Sequence, residues 1–156
     1  MSWIGIRVIR VICGSLLILF IPACDPFTAG NPAQSQLDAA LGRWNEAGYS
    51  SYEYKLRRIC ECVPETTHTL RVRVESGQIT SVFDLDTNRP ASSTSAGLTV
   101  LQLFEIVQDA IDQQAFRLLV EYHQELGYPS GLAVDYDDGT ADDEITYLVT
   151  ELAPIP

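Results

Sequence analysis

The sequence predicts an α+β fold, an antiparallel sheet with two helices on one face. Three observations lead there. Two stretches carry apolar residues at helical spacing, six carry them in alternation, and the connections between them are short and rich in turn residues. In chain order each half reads helix, then three strands, which suggests two like halves, although no sequence identity links them. The chain has 156 residues, 46% of them hydrophobic and 20% charged, a globular composition sufficient for one core.

The elements follow in order. Ser35 is placed to cap a first helix, with Asp38 near its positive end and Leu37, Leu41 and Trp44 along one stripe. Gly48 is its expected stop. Tyr52, Tyr54 and Leu56 alternate with Glu53, Lys55 and Arg57 in a strand that runs toward Cys60 and Cys62. Leu70, Val72 and Val74 alternate next, Ser76-Gly77 reads as a hairpin turn, and Ile79, Ser81, Phe83 and Leu85 are expected on one face of the following strand. Thr87 to Gly97 has loop composition. Thr99 and Gln102 have capping-box spacing ahead of a second helix striped by Val100, Phe104, Val107 and Ile111. Phe116, Leu118, Val120 and Tyr122 alternate as a strand, and Gly127-Tyr128-Pro129 breaks it. Leu132, Val134 and Tyr136 form another, and Ile145, Tyr147 and Val149 a last one.

The N-terminus reads as an address. Arg7 and Arg10 precede a 13-residue apolar stretch, Val11 to Ala23. A helix of that length rises about 20 Å, short of the hydrocarbon core. Basic, short and followed by small residues, it fits an export signal. Ile21-Pro22-Ala23-Cys24 resembles a bacterial lipobox, which implies cleavage after Ala23 and lipid on Cys24. The organisation expected is therefore a lipoprotein signal peptide over 1–23, a flexible tether over 24–34 and one α+β domain over 35–156. Anchored in this way, the domain would face away from the cytoplasm. Removing the first segment takes two cations and no acid, so the net charge falls from −11 to −13. A surface that acidic disfavours nucleic acid and anionic headgroups alike, so the lipid would do the anchoring.

Several of these residues together are similar to a bacterial family called domain of unknown function 6174. They are Tyr52-x-Tyr54, Cys60, Val72-x-Val74-x-x-Gly77-x-Ile79, Leu101-x-x-Phe104 and Val120-x-Tyr122. Gly127-Tyr128-Pro129-x-x-Leu132-x-Val134-Asp135 and Asp142-Asp143-Glu144-x-x-Tyr147 complete the pattern, which spans about Tyr52 to Leu152. Its usual acidic residue after Tyr122 is His123 here. The resemblance implies an exported protein, often a lipoprotein, and assigns no catalytic residue.

Chemistry-bearing clusters are few. With Cys13 in the removed segment and Cys24 lipidated, Cys60 and Cys62 remain. They could form a local disulfide, a redox pair or metal ligands, or stay as free thiols. In a regular strand their Cα atoms would stand about 6.5 Å apart, so bridging them requires a bend, and Val63-Pro64 marks a strand end. His68 is the nearest third ligand, but the spacing matches no familiar zinc pattern. His68 and His123 otherwise read as solvated or hydrogen-bonded. Asp135, Asp137, Asp138, Asp142, Asp143 and Glu144 put six acids into ten residues, weak cation candidates whose spacing is not that of an EF-hand. The plainer reading is a solvated turn at Asp138-Gly139. G-x-S-x-G, glycine-rich phosphate loops and H-E-x-x-H are all missing, and no cofactor is expected. The leading expectation is a membrane-anchored binding module for an envelope protein. The runner-up is thiol redox or metal handling at Cys60 and Cys62.

Overall fold

A computed structural model describes residues 31–62, 64–139 and 144–155. Seven strands form one sheet, antiparallel throughout, in the order β4-β3-β2-β1-β7-β6-β5. The strands are β1 (Tyr52–Ile59), β2 (Thr69–Glu75), β3 (Gln78–Asp84), β4 (Arg89–Pro90), β5 (Arg117–Tyr122), β6 (Pro129–Asp135) and β7 (Ile145–Pro154). Two long helices, α1 (Pro32–Ala47) and α3 (Val100–Asp112), cover one face, and α2 (Pro64–Thr67) is a single turn. This is the α+β architecture that the alternation and helical stripes predict. No helix among the described residues is long and apolar enough to cross a membrane.

The core lies between the helices and the sheet. Tyr54, Leu56, Val72 and Val74 from the first half meet Leu132, Val134 and Val149 from the second, under Leu37, Ala40, Trp44, Leu103, Phe104 and Val107 of the helices. Trp44 sets its ring edge-on to Tyr52, Tyr49 and Tyr128, with centroids 5.3, 6.0 and 6.2 Å away. Such aromatic contacts add about 0.5–1.5 kcal/mol each beyond burial.

Helix α1 starts at Pro32, capped by Asn31, which accepts from the Ala33 N–H and lies four residues before the Ser35 cap that the sequence suggests. Proline at the first helical position loses no hydrogen bond, so the helix extends back into the expected tether. Gly48 ends it in the left-handed conformation, as its composition predicts. Helix α3 carries the predicted capping box: Thr99 accepts from Gln102 N–H, and the Gln102 side chain accepts from Thr99 N–H.

Three expectations need correction. First, Val82 is the buried residue of β3, paired with Val72, while Ser81 and Phe83 pair with Arg73 and Arg71 on the other face. A bulge opposite Arg73/Val74 inserts one residue and exchanges the faces beyond it. Second, Phe116 precedes β5 and is 61% exposed instead of sharing the face of Leu118 and Val120. Third, the loop expected over Thr87 to Gly97 contains β4 and a 3-10 turn at Thr94–Ala96.

The two halves also differ in layout. In the first, the strand after the helix is central and the next two step outward. In the second, the strand after the helix is the edge and the next two step inward. Within the sheet, the described strands of the two halves meet where β1 pairs with β7.

Candidate functional site

The Cys60–Cys62 segment follows β1 directly. The strand ends at Ile59, so the backbone is free to bend, and the two Cα atoms stand 5.3 Å apart, inside the regular-strand spacing. The sulfurs lie 2.02 Å apart, at bonding distance. Cys62 is exposed and Cys60 half-buried, at one end of the sheet.

His68 lies just before β2 and reaches Asp84 at the end of β3, with Nδ1 2.7 Å from the carboxylate. Asp84 also accepts from the backbone N–H groups of Asp86 and Thr87. Desolvation alone would raise this carboxyl, but the bond with His68 and those with the following turn outweigh it. They hold Asp84 at about 2. Asp84 thus orients the imidazole and closes the turn after β3.

His123 is also hydrogen-bonded. Its Nδ1 accepts from Leu126 N–H within the turn after β5, and its ring stacks on Tyr128 at 4.8 Å. Gly127 sits in that turn at φ +79°, where a Cβ would come within 2.1 Å of the Ala40 carbonyl oxygen. The turn therefore packs directly on the α1 backbone, which explains a glycine there.

Among the described residues, the acidic run does not gather into one cluster. Asp135 is 5% exposed, and its Oδ1 has no hydrogen-bond partner among the described residues. Asp137 accepts from Gly139 N–H in a tight turn, the solvated-turn pattern expected of Asp138-Gly139. Glu144 pairs with Arg117 at 3.1 Å. Asp142 and Asp143 lie outside the described residues, as does Cys24. Among the described residues, no three His, Cys, Asp or Glu side chains stand where they could hold one metal ion.

A shallow hollow of about 560 Å³ lies between the β2–β3 turn and the start of α3, lined by Gln78, Thr94, Thr99, Gln102 and Glu105. A smaller apolar groove of about 290 Å³ runs between α1 and α3, over Leu37, Leu41, Leu101 and Phe104. Neither contains Cys60, Cys62 or His68.

The face of the sheet away from the helices carries a different chemistry. Glu53 lies 3.7 Å from Arg71 and 3.9 Å from Arg73, Arg73 bonds Glu75 at 2.7 Å, and Lys55 bonds Glu151 at 2.5 Å. Beside this charged half runs a cross-strand row, Ile59, Thr146, Ala133 and Leu119, with Leu148 next to it. Ile59, Leu119 and Leu148 are 50, 61 and 38% exposed. Sequence reasoning did not single out these residues, because their alignment depends on strand order.

A model described as a family of unknown function, DUF6174, matches residues 36–154. The chain belongs to this family. The match takes in α1 as well as the stretch from Tyr52 to Leu152, so for DUF6174 the first helix is part of the unit. No curated protein and no solved structure matches the chain.

Proposed function

We propose that this DUF6174 protein is a lipid-tethered binding module of the bacterial cell envelope, facing away from the cytoplasm and acting on an envelope protein. The observation that carries the reading is the run from Arg7 and Arg10 through the apolar stretch to Ile21-Pro22-Ala23-Cys24. The start of α1 supports it. Only Asp25 to Asn31 separate Cys24 from the first helical residue. Seven residues span at most about 25 Å, so a lipid at Cys24 would keep the domain close to the bilayer.

The test is intact-mass analysis and fractionation of the full-length chain expressed in a bacterium. Loss of residues 1–23, added acyl mass on Cys24, and release of Cys24→Ala from the membrane fraction are the expected results. An unmodified Cys24 in mature protein would overturn the anchor. Crosslinking on intact envelopes then addresses the partner, with Cys24→Ala as the mislocalised control. The binding reading predicts a protein enriched only by the anchored form.

A second reading is thiol redox chemistry at Cys60 and Cys62, favoured by the exposure of the pair at the end of the sheet. The disulfide would take two electrons and two protons from a substrate dithiol, which would leave as a disulfide. A short loop gives a bridge little entropic stabilisation, about 1.6 kcal/mol. Thiol labelling after equilibration in graded thiol buffers decides this. A pair that stays oxidised in buffers matching the cellular thiol pool defeats the redox reading.

A further inference from the structure

We propose that two copies of this chain associate through β5, edge to edge and antiparallel about a two-fold axis at Leu119. The inference is independent of the lipid anchor. The sheet has two edges, and they differ. At one, β4 is two residues long and ends in Pro90, which has no N–H to offer a further strand. At the other, β5 presents six residues, pairs with β6 alone among the described residues, and contains no proline or lysine. The irregularity in its pairing falls at Glu121/Tyr122 and leaves the stretch before it regular.

The residues of this edge complement themselves. Phe116 to Tyr122 reads Phe-Arg-Leu-Leu-Val-Glu-Tyr, which is symmetric in chemical character about its middle residue. Antiparallel pairing centred on Leu119 sets Arg117 against Glu121 and Leu118 against Val120, each twice, and brings Phe116, just ahead of the strand, toward Tyr122. Opposite charges and apolar or aromatic residues directly across a strand pair stabilise it. Sliding the register by two residues puts Leu119 opposite Glu121 or opposite Arg117 and loses both ion pairs. Parallel pairing sets Arg117 beside Arg117. One arrangement therefore satisfies the strand positions from Arg117 to Glu121.

Exposure agrees with this. Leu119 and Phe116 are each 61% exposed, the two most exposed large apolar residues described. In the pair, Leu119 meets its own copy and extends the row of Ile59, Thr146 and Ala133 across the axis. Arg117 now bonds Glu144, but both side chains are exposed and such pairs contribute little, so the guanidinium can also serve Glu121 of the second copy.

The test uses the full-length chain extracted in detergent. Wild-type protein is expected to sediment as a dimer. Leu119→Cys should crosslink to a dimer on mild oxidation, whereas Ser81→Cys, exposed on the far side of the sheet, should not. R117E or E121R alone sets like charges opposite each other twice and should weaken the dimer about tenfold or more, while the double variant R117E/E121R should recover it. Circular dichroism on each variant separates lost pairing from lost folding. A wild-type chain that stays monomeric at about 100 μM overturns the proposal. So does a dimer indifferent to charge reversal, larger open assemblies, or an edge occupied by a different protein.

Discussion

Asp84 shows how much one side chain can carry at a turn. Its carboxylate receives His68 and two backbone N–H groups, and these hold its pKa at about 2 although desolvation opposes them. An unfolded aspartate titrates near 4, so on acidification the unfolded chain takes up this proton first. The contribution of Asp84 to stability is therefore fully present above about pH 4 and is lost as the pH falls toward 2. Urea melts between pH 5 and 2 should show the midpoint dropping through that window, and Asp84→Asn should flatten the drop. A slope unchanged in Asp84→Asn would assign acid sensitivity to other carboxylates. The partnership was invisible in the sequence because its members lie 16 residues apart, one just before β2 and one at the end of β3. His68 alone offered only the general expectation of a hydrogen bond.

At the scale of elements, what could be read in advance was what depends on near neighbours. The alternation of Tyr52, Tyr54 and Leu56, the Thr99/Gln102 box and the Ser76-Gly77 turn are each settled within a few residues, and all are present. Two features escaped because they depend on distant partners. The extra residue opposite Arg73/Val74 exchanges the faces of β3, and nothing in its apolar pattern announces it. Tyr128, part of a chain break in the sequence, is buried against Trp44, a contact that exists only once α1 lies over the second half. The way α3 is held is likewise long-range. The Tyr52 hydroxyl accepts from the Val100 N–H at 2.9 Å, and the Tyr54 hydroxyl donates to the Leu98 carbonyl. Two core tyrosines of β1 thus bind the start of the helix. Tyr52→Phe leaves a buried N–H without its acceptor and should cost about 1–3 kcal/mol in denaturant unfolding, with little change in the m-value. A cost near zero would mean that another acceptor replaces the hydroxyl. Of the candidate site, the bend at Cys60 and Cys62 was foreseeable from Val63-Pro64, whereas the burial of Asp135 was not. It sits at the end of β6, beside Arg117 of β5, and only strand pairing shows that.

For the whole molecule, the sheet order is the decisive fact. The last strand, β7, lies between β1 and β6 and is the sole sheet contact between the halves. Removing it strips Tyr147 and Val149 from the core and parts the sheet into a four-stranded and a two-stranded piece. A chain ending at residue 144 should therefore lose its cooperative melting transition and its near-ultraviolet circular dichroism, not simply melt lower. Retention of a sharp transition would show that the helices alone can join the halves. Six of the seven strands had been legible beforehand. Their order had not, because an alternating pattern identifies a face and says nothing about neighbours.

That order also imposes a schedule on synthesis. The ten residues of β7 are made after the other six strands, and until they arrive β1 and β6 present raw backbone to whatever is nearby. A nascent chain cannot finish folding while the ribosome still holds β7. If such a chain is threaded through a narrow pore beginning with its N-terminus, the leading end has crossed before the scaffold can lock.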